Sequence, residues 1–220
     1  MRSAAERLQS VRDGIAAAAK LAGRDPAGVE LIAVSKGRTA DDIEALIEAG
    51  QQVFGESRIQ EALEKWPALL ARHPQTRLHG IGRLQSNKAD DAVKLFGVIH
   101  SLDRSSLLDA LIKAAEKAGR VPEVYVQVNI GEEEQKGGCA ISEVGELVAA
   151  IRASPLPLAG LMAIPPLGVE PGPYFALVGK IARRHDVTGV SIGMSGDFEA
   201  AVMLGATAVR VGTALFESDP

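Results

Sequence analysis

Short apolar runs of strand length alternate along this chain with segments whose apolar positions recur every three or four residues. VELIAVSK (29–36) is the first run. TADDIEALIEAG follows it, with Thr39 as a helix cap, acids in the first turn and Gly50 as a stop. VFGES (53–57) leads into a helix through Trp66, and RLHGIG (77–82) leads into one around QSNKADDAVKLF. GVIHSLD (97–103) precedes RSSLLDALIKAAEKAG, an amphipathic helix ending at Gly119. PEVYVQVNI (122–130) precedes a polar loop and the helix SEVGELVAAIRA, and LAGLMAIP (158–165) precedes a Pro/Gly loop and a helix through Arg184. GVSIGMS (189–195) precedes the short helix DFEAAVMLG, and AVRVGTALF (208–216) closes the series as an eighth strand.

Regular βα alternation predicts a parallel sheet, and eight units predict an α/β fold closed as a (β/α)8 TIM-type barrel. One helix precedes the first strand, with Leu8, Val11, Ile15 and Ala19 on one face. Little or no helix follows the last strand, so the N-terminal helix is expected to cover that gap. No composition shift marks a boundary, and residues 1–220 read as a single domain.

Composition narrows the partners. The chain is 46% hydrophobic but only 4% aromatic, as suits buried parallel strands covered by helices. A net charge of −4 without a basic run argues against nucleic acid. Cys139 is the one cysteine, so neither an internal disulfide nor a cysteine metal cluster can form. The four histidines have no metal-ligand spacing, and no metal is expected. No apolar stretch reaches membrane-spanning length, and Glu6 and Asp13 argue against a targeting peptide. A cytoplasmic protein without a membrane partner is expected, and a monomer since the chain is self-contained, with a weak dimer equally compatible with the composition.

Barrels of this kind place reactive groups at the C-terminal ends of strands. Around strands 7 and 8, Gly193, Ser195 and Gly196, then Gly212 and Thr213, offer small residues and hydroxyls where backbone N–H groups can meet an anion. Each glycine alone is equally well a tight turn; two such loops on adjacent strands favour a phosphate site. Lys36 ends strand 1 on the same face. Alone it is an ordinary solvated lysine. Opposite a phosphate site it suggests a Schiff base, either with pyridoxal 5′-phosphate (PLP) or with a phosphorylated sugar in an aldolase. Arg210 on strand 8 only donates hydrogen bonds, so a pyridine nitrogen facing it would stay unprotonated, which suits holding PLP or racemase chemistry better than transamination. An ion pair of Arg210 with Glu56 is the plainer alternative. His79 either lines the pocket or is a hydrogen-bonded core residue, and Lys136, in a charged loop, could meet an anionic ligand.

AVSK (33–36), FGESRIQEALEK (54–65), LHGIGRLQSNK (78–88), HSLD (100–103), GLMAIPP (160–166), GMSGDFEAAV (193–202) and VRVGTALF (209–216) together resemble the pyridoxal phosphate homeostasis protein family, whose fold is similar to the N-terminal barrel of alanine racemase. The resemblance covers nearly the whole chain. It implies that Lys36 forms the Schiff base, that Ser195, Gly212 and Thr213 hold the phosphate, that Arg210 faces the pyridine nitrogen, and that Met194 and His79 are pocket neighbours. It also implies a role in the supply of PLP, with no firmly established catalytic activity and with PLP-dependent apoenzymes as recipients. Ser57 stands where the family has Asn, Leu78 replaces a common Trp, and the loop LGVEPGPYF is short, which bears on the pocket wall. The alternative is a PLP-dependent amino-acid racemase lacking a second domain. That chemistry needs a proton donor on each face, and Tyr174 is the one resident substitute for the missing base.

Overall fold

The computed structural model describes residues 2–217. Its eight strands are β1 (Glu30–Val34), β2 (Val53–Glu56), β3 (Arg77–Gly80), β4 (Val98–Leu102), β5 (Glu123–Val128), β6 (Leu158–Ala163), β7 (Val190–Ser191) and β8 (Ala208–Val211). They form a closed barrel in chain order. All neighbours are parallel, and β8 returns to β1 with Ile32 opposite Arg210. The helices are α1 (Ala4–Leu21), α2 (Ala40–Glu48), α3 (Ile59–Arg72), α4 (Ala89–Leu95), α5 (Ser105–Ala118), α6 (Val144–Arg152), α7 (Gly172–Arg184), α8 (Phe198–Met203) and α9 (Thr213–Phe216).

Helix α1 does cover the seam. Ser3 and Glu6 form a capping box at its start, and Leu8, Val11, Ile15, Ala18 and Ala19 are buried in the main core. It packs on α2, α8 and α9. Arg7 Nε donates to Leu215 O at 2.7 Å, and Arg12 Nη2 to Gly50 O at 2.9 Å. The segment TALF does not prolong the last strand; it is the four-residue α9, so a short final helix exists. Strand β7 keeps two residues of its seven-residue apolar run, because the chain turns at Gly193 with φ +90°. None of the described helices is long and apolar enough to cross a membrane.

Side chains alternate across each strand. Ala33, Phe54, Leu78, Val124, Val126, Leu161, Val209 and Val211 belong to the large core shared with the helices. The opposite set fills the barrel. Val98, Tyr125 and Met162 pack there as a second cluster, but His79, His100, Ser191 and Arg210 are also buried, at 4% exposure or less. Barrel interiors are ordinarily filled by branched aliphatic side chains; this one contains a polar column.

Candidate functional site

A cavity of about 410 Å³ opens at the C-terminal ends of the strands. Lys36, Met194, Ser195, Arg210, Gly212 and Thr213 all line it, as do Ser57, Ile81 and Ile164. Of the cofactor-binding residues that the resemblance implies, His79 is the exception. Just past the end of β3 the next inward position after His79 is Ile81; Ile81 forms the cavity wall and His79 lies one layer below it. A cleft of about 360 Å³ at the N-terminal end, beside Arg12, Glu30 and Gln51, has no comparable set of lysine, hydroxyl and glycine donors.

The anion corner is built where the loops after β7 and β8 meet. Gly212 N–H donates to Ser195 Oγ at 3.1 Å, which ties the two loops together. Asp197 accepts from Met194 N–H at 2.5 Å, and Phe198 N–H donates to Met194 O at 2.8 Å, fixing the entry to α8. Gly193 is required: beyond its positive φ, a Cβ there would stand 2.5 Å from Ala201 Cβ. That one is a tight turn. Gly196, by contrast, has open space around it.

Arg210 reaches the cavity floor from β8. Its Nη1 donates to Ser191 O at 2.8 Å and to Ser191 Oγ at 2.6 Å, and its Nη2 donates to Ala163 O at 3.1 Å. These bonds use three of five N–H donors and leave others for a ligand. Among the described residues no ion pair joins it to an acid. Glu56 is not its partner, because Glu56 points away from the barrel axis and pairs with Lys65 at 2.8 Å. Burial pushes the Arg210 guanidinium down to about 10, so it stays charged at neutral pH.

Below Arg210 the polar column continues. Ser191 Oγ lies 3.1 Å from His100 Nδ1, and His100 Nε2 lies 3.1 Å from His79 Nδ1. Since arginine only donates, Ser191 accepts from it and has its own proton to give to His100, which in turn donates to His79. His79 Nε2 is left without a partner. Tyr125 stacks on His100 with centroids 4.2 Å apart. Burial drives His79 down to about 3, helped by Arg77, and His100 well below its ordinary range, helped by His79 and Arg210. Both rings are neutral at pH 7, so the 4.0 Å approach of Glu30 to His79 is not an ion pair.

Other expectations fall outside the cavity. Leu78 belongs to the core between strands and helices, so its replacement of Trp does not alter the wall. Ser57 does line the wall. Lys136 pairs with Glu133 at 2.6 Å and donates to Pro165 O. Tyr174 packs against the main core from α7. His100 and Ser191 were not visible as site residues from spacing alone; their signal is that both occupy the inward phase of their strands, as Arg210 and His79 do. Among the described residues no cluster of three or more His, Cys, Asp or Glu gathers as a metal site.

The family model for the N-terminal domain of alanine racemase matches residues 7–220. The pyridoxal phosphate homeostasis protein of Escherichia coli (strain K12) is 38% identical over 98% of this chain and 97% of its own length. The structure of PipY from Synechococcus elongatus PCC7942 with PLP bound is 37% identical, with a TM-score of 0.83, covering 97% of this chain and 99% of that one. Alanine racemase from Streptomyces lavendulae shares the fold at a TM-score of 0.70 and 23% identity, over 97% of this chain and 58% of the racemase. By sequence and by architecture, the chain belongs to the pyridoxal phosphate homeostasis protein family, within the proteins built on the N-terminal domain of alanine racemase.

Proposed function

We propose that the protein binds PLP, tethers it reversibly through Lys36, and serves intracellular PLP homeostasis rather than a catalytic cycle. The observation that carries this reading is that one cavity brings together a lysine, a hydroxyl-and-glycine anion corner and a buried arginine. Those donors fit PLP: Ser195, Gly212 and Thr213 would take the phosphate, Lys36 the aldehyde carbon, Arg210 the pyridine nitrogen, and Met194 the ring's flank. His79 would act from beneath, through His100 and Ser191. Joining the Lys36 amine to the aldehyde releases one water and needs no oxidant. When bound, PLP supplies an electrophilic carbon conjugated to a pyridine, and a guanidinium facing the nitrogen keeps that ring a weak electron sink. PipY, bound to PLP at 37% identity, supports the assignment.

The racemase alternative gains nothing from the geometry. Tyr174 is half-buried against the core and does not line the cavity, and the one carboxylate on the described cavity wall, Glu217, is paired with Arg38 at 2.5 Å. In the favoured reading the working unit is a single-domain monomer in the cytoplasm, and PLP-dependent apoenzymes receive the cofactor.

Purified protein mixed with PLP is expected to develop a visible absorbance band that borohydride fixes onto the peptide containing Lys36. Protein that stays colourless, or a label found on another lysine, would overturn the assignment.

A further inference from the structure

Lys36 lies at the second position of a four-residue turn (35–38) closed by Arg38 N–H donating to Ser35 O at 3.1 Å, with Gly37 at φ +68°. Helix α3 holds this turn from the side away from the barrel axis. Lys65 Nζ donates to Ser35 O at 2.9 Å and to Arg38 O at 3.2 Å, on either side of Lys36. Glu61 Oε1 accepts from Gly37 N–H at 2.5 Å and sits 3.1 Å from Lys65 Nζ. Glu56 Oε1 accepts from Ser35 Oγ at 2.7 Å, from Trp66 Nε1 at 2.9 Å and from Lys65. Its other oxygen has no partner, so all of its hydrogen bonding is drawn to the side that meets the turn. Ser35, Gly37 and Arg38 are each tied to α3 or β2, while the Lys36 side chain faces the cavity.

An ion-pair network that served only to join α3 to the sheet would not need to end on the peptide groups flanking the one cavity lysine. We propose that Lys65 and Glu61 are positioning residues for Lys36: they fix the turn so that the amine meets the carbonyl carbon of an aldehyde bound in the cavity. The proposal rests on the PLP reading above and adds the residues that make its lysine effective. Holding the amine beside the bound carbonyl raises its effective concentration there, which favours the joined state, and a loosened turn forfeits that advantage.

The test compares two ligands that differ at one carbon: PLP, and pyridoxine 5′-phosphate, which carries an alcohol in place of the aldehyde. Both use the phosphate corner, but only PLP can join to Lys36. In calorimetric titrations Lys65→Met and Glu61→Ala are expected to weaken PLP binding by between about tenfold and a hundredfold and to hold pyridoxine 5′-phosphate within about twofold of wild type. Glu61 is partly exposed, with 28% side-chain accessibility, so its variant decides the matter if Lys65→Met does not fold. Unchanged PLP binding in both variants, or equal losses for the two ligands, would overturn the proposal. Wild-type protein that bound neither ligand would overturn the cofactor reading itself.

Discussion

His79 and His100 share the barrel interior with a charged arginine, and both are kept neutral by burial. An unfolded histidine takes up its proton near pH 6.5, whereas His79 in the fold does so at about 3. The unfolded chain therefore binds more protons through the window from about pH 6.5 down to about 3. The stability that a neutral His79 contributes is fully present above that window and is lost as the pH falls through it, and His100, held well below its ordinary range, acts in the same direction. Urea titrations should show a decline of about 1.4 kcal/mol per pH unit for each ring below about pH 6. His79→Gln should remove one share of that slope, and a wild-type stability flat between pH 7 and 5 would contradict the account. At this scale the sequence was informative where position alone implied chemistry. Lys36 and Arg210 end up in the cavity because strand ends face it. Ser191 and His100 carry no such signal, because a lone polar residue in an apolar run does not say which side of the strand it occupies until the barrel closes around it. Lys65 and Glu61 resembled any i, i+4 pair on a helix.

Helix boundaries were legible wherever a cap supplied a mechanism. Thr39 forms a capping box with Asp42, and Gly119 ends α5 in the left-handed region. Prolines were less reliable guides. Helix α3, expected to run through Trp66, continues across Pro67 to Arg72. Trp66 and Leu69 are buried on its inner face, at 1% exposure or less, while Pro67 is exposed. Packing of that face outweighs an amide that cannot bond back to Leu63. Restoring the amide should help: Pro67→Ala is expected to stabilise the fold by about 1–2 kcal/mol, the helix gain being partly offset by a freer unfolded chain. Chemical denaturation decides this, and a destabilised variant would show that the ring itself packs usefully. The end of AVRVGTALF failed for a different reason. Its apolar residues suit a strand, but after Gly212 the chain has left the barrel wall and α9 buries Leu215 instead.

Over the whole molecule the βα alternation sufficed, because parallel neighbours with short connections leave few ways to arrange eight such units. What alternation could not reveal was the barrel's contents, since inward and outward positions are told apart only once closure fixes which face is enclosed. A ligand that joins the loops after β7 and β8 to Lys36 in the turn after β1 should stabilise the closed form by mass action. At a PLP concentration about a hundredfold above its dissociation constant the gain is about 2.7 kcal/mol, seen as a rise in melting temperature that Lys36→Ala should largely abolish. The absence of any such rise in wild type would count against binding to the folded state. The polar column beneath Arg210 also shapes how this lineage can change. Its bonds run one way from a group that can only give, and they finish on a nitrogen with nothing to receive it. Replacing one member strands its neighbour in a dry interior, whereas exchanging adjacent members together for apolar residues leaves no such debt. Inherited substitutions at 79, 100 and 191 should therefore arrive as matched sets, each permissive only in the company of the others.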